Sequence, residues 1–97
     1  MANSRQDLVL VVAKARDQAK ELLTVLESQG HPQTNRSSSL YLALVSIRKR
    51  LLAVDPVVPA ARMVPDLEQL VTLCDGKLAT IKPLLQDAVR LARSTPE

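Results

Sequence analysis

One histidine, His31, and one cysteine, Cys74, are the chain's candidates for nucleophilic or metal chemistry. A cysteine becomes a strong nucleophile when an imidazole stands within hydrogen-bond reach of its sulfur. His31 sits in the turn sequence Gly30-His31-Pro32, and no recognisable signature links it to Cys74. Cys74 falls on an apolar helical stripe, where a free cysteine acts as a small buried hydrophobe. No set of His, Cys and carboxylates has the spacing of a metal site. The two glycines, Gly30 and Gly76, cannot build a loop that cradles phosphate. Asp66 and Glu68 read as acidic partners of a helix N-terminus rather than as an acid/base pair. No catalytic residue, cofactor or metal ligand follows, and the chain is read as non-catalytic.

The remaining candidates are binding groups. Arg48-Lys49-Arg50 is the densest charge cluster, and phosphate is the ligand such a cluster would take. Tyr41 is the sole aromatic residue, so platforms for stacking single-stranded bases are missing. The cluster also lies in the C-terminal half of a helix, where the dipole favours cations. Pro56-Val57-Val58-Pro59, with Arg62 following, has the PxxP pattern of a polyproline II ligand, although its basic residue stands one position late.

These residues are positioned by helices. From Ser4, a candidate cap, to about Ser28 nothing interrupts a helix, and Leu8, Val11, Val12, Ala15, Ala19, Leu22, Leu23 and Leu26 share one face. Gly30-His31-Pro32 ends it. One of Ser37, Ser38 or Ser39 should cap the second helix, whose stripe is Leu40, Leu44, Ile47, Leu51 and Val54, ending at Asp55-Pro56. Pro65 opens a third segment with a continuous stripe from Leu67 through Leu70, Cys74, Leu78, Ile81, Leu85 and Ala88 to Ala92. Gly76 and Pro83 project opposite that stripe, so one kinked helix over 65–93 is expected. The expectation is one all-α domain over 1–97, an antiparallel up-down-up three-helix bundle with helices at about 4–29, 38–54 and 65–93. A partner or a second copy would complete it to four helices. Residues 94–97 form a frayed end.

The apolar, proline-rich run Val54 to Asp66 then lies beside the start of the first helix. Val57, Val58, Met63 and Val64 are expected to form a rigid lid over Val9, Leu10 and Ala13, with a helical turn at Ala60 to Met63. Leu73, Leu84 and Leu91 make a second ridge beside the main stripe. That ridge either packs within the bundle or offers a groove to another helix.

The chain has 97 residues, a net charge of +3, 46% hydrophobic residues and 24% charged ones. Its mean hydropathy of +0.04 is high for so small a domain and suggests apolar surface kept for a partner. The start MANSRQD lacks the order of a signal peptide, and a lone cysteine suits a reducing compartment, so a cytoplasmic location is expected with no transmembrane segment. In composition the chain resembles the aliphatic, aromatic-poor bundles of adhesion and scaffold proteins, such as vinculin-like and focal-adhesion-targeting domains; those carry four helices, and no residue correspondence follows.

The expected function is a protein–protein interaction module of the adaptor, scaffold or assembly kind, binding a partner helix or a second copy of itself. Its candidate surface is Val9, Leu10, Leu73, Leu84 and Leu91, with Arg48 and Arg50 on a polar rim. Pro56, Pro59 and Arg62 form the separate proline motif. The alternatives are a small nucleic-acid-associated protein using Arg48-Lys49-Arg50, and an amphipathic protein of the lipid surface, which the absence of Trp and Phe anchors disfavours.

Overall fold

Nothing between Ser4 and Gln29 breaks a helix, and in the computed structural model α1 spans Ser4–Gln29 without interruption. The structure describes residues 4–54 and 56–95. Asp55, Pro96, Glu97 and the side chain of Ser4, the expected cap, lie outside the described residues. The buried face of α1 is Leu8, Val12, Ala15, Ala19 and Leu26. The helix closes on Gly30, whose φ of +60° a side-chain-bearing residue adopts only at a cost. The Gly30 N–H donates to the Glu27 carbonyl (3.2 Å) and the His31 N–H to the Leu26 carbonyl (3.0 Å). That pair of bonds is a Schellman closure, and it satisfies carbonyls the helix end would otherwise leave open.

The second helix, α2, spans Thr34–Leu52 and begins earlier than the serine run suggested. The Thr34 hydroxyl donates to the His31 carbonyl (2.7 Å) and the Gln33 N–H donates to His31 Nδ1 (3.1 Å), so the turn is already closed at Thr34. Ser37 is not a cap. It is a buried residue inside α2, and its hydroxyl donates across to the Ala19 carbonyl of α1 (3.3 Å). Leu40, Leu44, Ile47 and Leu51 form the buried stripe. The helix stops at Leu52 rather than Val54; Ala53 is extended (φ −65°, ψ 134°), and Val54 is therefore outside the stripe and exposed.

The third segment differs most from expectation. Residues 65–93 do not form one kinked helix. They form α3 (Val64–Thr72) and α4 (Lys82–Ser94), with a 3-10 turn at Gly76–Thr80 between them. Thus among the described residues there are four α-helices where three were expected, and no β-strand. Two local features account for the break. Gly76 stands at φ +55°, outside helical space. Pro83 supplies no N–H to continue a helix and sits instead in the first turn of α4, where none is needed. A tertiary feature completes it: the Gln33 side chain donates to the Asp75 carbonyl (3.1 Å) and accepts the Lys77 N–H (3.0 Å). Backbone groups freed by the break are satisfied from the connection between α1 and α2.

Breaking the segment lets its stripe be used twice. Leu67 and Leu70 are buried from α3, and Leu85, Ala88 and Ala92 from α4, with Leu78 and Ile81 buried in the connection. Helix α4 packs against both α1 and α3. Arg93 pairs with Glu68 (3.1 Å), tying the end of α4 to the middle of α3. Arg50 pairs with Asp66 (2.8 Å) and Arg36 with Asp75, so α3 starts beside the end of α2 and finishes beside its start. The extents are 43 × 23 × 21 Å, and the 26-residue α1 accounts for the long one at about 1.5 Å per residue. Ser94 belongs to α4 rather than to a frayed end, and the Thr95 hydroxyl donates back to the Leu91 carbonyl (2.7 Å).

The expected helical turn at Ala60 to Met63 is present as a 3-10 turn leading into α3. Ala60 and Met63 are fully buried, so this part of the proline-rich run closes the core. The part before it does not. Val57 remains 59% exposed and Leu10 55% exposed, which leaves the expected lid incomplete. Among the described residues no helix is long and apolar enough to cross a membrane.

Candidate functional site

The end of the molecule that the lid leaves open carries an apolar groove of about 610 Å³. One wall is the start of α1, through Arg5, Gln6, Val9 and Leu10. The other is the end of α2 and the chain beyond it, through Leu51, Leu52, Ala53, Val54 and Val57. Helical geometry explains why these side chains face outward. Leu8 and Val12 hold the buried face of α1, and Leu10 stands about 200° around from Leu8. Leu51 is buried, so Leu52 is turned about 100° away from the core. Val54 and Val57, both in the lining, are joined by an isolated antiparallel bridge. Arg5 braces the two walls. Its Nη2 (2.9 Å) and Nε (3.3 Å) both donate to the Leu51 carbonyl, a favourable placement for a cation at a helix C-terminus.

Of the residues expected to form the candidate surface, Val9 and Leu10 are in this groove. Leu73, Leu84 and Leu91 are not. Leu73 closes the end of α3, Leu84 and Leu91 lie on α4, and all three are partly buried against the core. The fold-back between α3 and α4 therefore divides the ridge that a continuous helix would have displayed. Leu84 borders a separate shallow depression with Pro83 and Arg90.

The basic cluster is also divided. Consecutive residues point about 100° apart on a helix, and Arg48, Lys49 and Arg50 go three ways. Arg50 turns toward α3, where it pairs with Asp66 beside a cleft of about 220 Å³. Arg48 is half-buried with its Nε shielded from solvent, and Lys49 is exposed. In the proline motif, Pro56 is exposed and Pro59 has polyproline II dihedrals (φ −59°, ψ 137°). Arg62, however, is on the 3-10 turn and so out of register with an extended ligand.

His31 and Cys74 are each engaged locally. His31 Nδ1 accepts the Gln33 N–H, and the Cys74 thiol donates to the Leu70 carbonyl (3.4 Å). Burial pushes the Cys74 thiol pKa up, Lys82 opposes that and Asp75 adds to it. This is the reverse of an activated thiolate. Among the described residues no group of three or more His, Cys, Asp and Glu could hold a metal ion.

Sequence reasoning missed Leu51, Leu52, Ala53 and Val54 as groove residues. The signal was present: four consecutive apolar positions cannot all face one core from a helix. It also missed Gln33, whose role depends on a contact with residues far along the chain. No known protein family, curated protein or solved structure matches this chain.

Proposed function

We propose that the protein is a non-catalytic helical interaction module, and that the groove between the start of α1 and the end of α2 receives the apolar face of a partner helix. One observation carries this reading. Six large hydrophobic residues are exposed among the described ones, and four of them, Leu10, Leu52, Val54 and Val57, line this single groove. Scattered exposed hydrophobics need no explanation, whereas converging ones mark a binding surface. A groove lined by leucine and valine takes the one-sided apolar stripe of an amphipathic helix. The nucleic-acid reading is weaker, because Arg50 is already paired and the cluster fans around its helix.

The test is titration with a synthetic amphipathic helical peptide bearing one leucine stripe, followed by methyl NMR. Shifts confined to Leu10, Leu52, Val54 and Val57, abolished by Leu10→Gln with Val57→Gln, are expected. Shifts spread evenly over the surface, or centred on Leu84, would refute the assignment.

A further inference from the structure

We infer that the partner helix is acidic, an inference that rests on the groove reading above. Arg5 is the charged residue that lines the groove, and among the described residues the charged positions adjoining that lining are mainly basic. Lys14 is exposed one turn beyond Leu10 on α1, and Lys49 is exposed one turn before Leu52 on α2. Residues three or four apart are surface neighbours on a helix, so Lys14 adjoins Leu10 and Lys49 adjoins Leu52 at the edges of the apolar lining. Arg48 occupies the neighbouring position on the same turn of α2, and Arg62 is exposed on the 3-10 turn that follows the loop. Asp7 is the acidic residue that borders the floor from α1. Asp66 and Glu68 on α3 are paired with Arg50 and Arg93.

The same charges argue against a second copy as the occupant. A two-fold interface sets each patch against itself, so a basic rim would meet a basic rim. A single helix with leucines facing the floor and glutamates or aspartates on its flanks fits both the shape and the charge.

The experiment compares two peptides of about 18 residues with identical leucine stripes, one flanked by Glu and one by Lys, both good helix formers. The full chain is titrated with each, and methyl NMR and calorimetry are read together. The Glu peptide is expected to bind the groove about tenfold more tightly at low salt, with the gap narrowing as salt rises. Lys14→Glu with Lys49→Glu should reverse the preference; both side chains are exposed, and only the Lys49 change, which puts an anion in the last turn of α2, should lower the melting temperature, by a few degrees. Equal affinity for the two peptides overturns the acidic inference and leaves the groove reading standing. No groove shifts with either peptide overturns both. A stable dimer in light scattering overturns the inference in favour of self-association. Binding to phosphatidylserine-containing vesicles but to neither peptide overturns it in favour of a lipid surface.

Discussion

Gly76→Ala separates the fold observed from a continuous third helix by the sign of its effect. Gly76 has φ +55°, and a β-carbon there would stand 2.9 Å from Gln33 Oε1, 3.0 Å from its Nε2 and 3.2 Å from its Cδ. The backbone conformation alone costs an alanine about 1 kcal/mol or somewhat more. The Gln33 amide must also move, giving up its bonds to the Asp75 carbonyl and carboxylate and to the Lys77 N–H. These bonds are exposed, so each contributes about 0.5 kcal/mol. The expected total is a destabilisation of roughly 2–3 kcal/mol, which for a domain of this size lowers Tm by about 10–20 °C. Gly30 is the internal control: its φ is +60° and a β-carbon meets nothing within 4 Å, so Gly30→Ala should cost only about 1 kcal/mol. Urea unfolding of both variants, extrapolated linearly, measures the difference. In a continuous helix an alanine is better than a glycine by about 0.8–1.0 kcal/mol, so Gly76→Ala would stabilise the protein. A neutral or stabilising result at Gly76 would refute the break and the role given to Gln33.

Met63→Ala should cost about 2–4 kcal/mol in the same assay, because Met63 is fully buried, while Val57→Ala should change stability by less than about 0.5 kcal/mol. Similar losses at the two positions would mean that the loop before Ala60 also closes the core. Pro56→Ala and Pro59→Ala should each lower stability by about 0.4–1 kcal/mol by loosening the unfolded chain; unchanged thermal stability would contradict the structural role of the proline run. The Cys74 thiol has its pKa raised by burial, so the folded state holds its proton longer than the unfolded state does. Its stabilising contribution is complete below the ordinary value of 9.0 and is lost as pH rises through the folded value. Unfolding free energy should therefore fall above about pH 9, and Cys74→Ala should flatten that fall; an unaltered slope in the variant would count against it.

The parts of the fold that were legible are those set by local rules. The α1 boundaries follow from an unbroken stripe and a glycine stop, and Pro65 marks the first turn of α3 as its fixed φ suggests. The Ala60–Met63 turn was also legible. The errors arose where a distant residue decides a local matter. The stripe from Leu67 to Ala92 has one helical period on both sides of the break, so periodicity alone cannot reveal that the chain reverses there. The reversal depends on a left-handed Gly76 supported by Gln33, and that support is invisible to any window around position 76. The serine run illustrates the same limit. Ser37 has the residue type of a cap, but the turn through His31 starts α2 sooner and leaves Ser37 to pack against α1. Of the five apolar residues expected on the candidate surface, Val9 and Leu10 line the groove. Both are off-stripe by simple angular counting, whereas Leu73 is separated from Leu84 and Leu91 by the break after α3, and all three are partly buried against the core.

Fold and proposed function can be tested separately because they draw on different side chains. The core uses Leu8, Val12, Leu44, Met63 and the α4 stripe, all buried. The groove uses Leu10, Leu52, Val54 and Val57, each roughly half or more exposed. Burial of an aliphatic side chain contributes about 1.5–3 kcal/mol, and the exposed groove residues supply only a fraction of that to folding. Their polar replacement should therefore leave stability nearly constant and still remove any affinity for an apolar partner. If Leu10→Gln with Val57→Gln instead melted several degrees earlier, the groove would be a strained part of the core. The convergence of exposed hydrophobics at that end would then be a packing feature and would no longer argue for a partner.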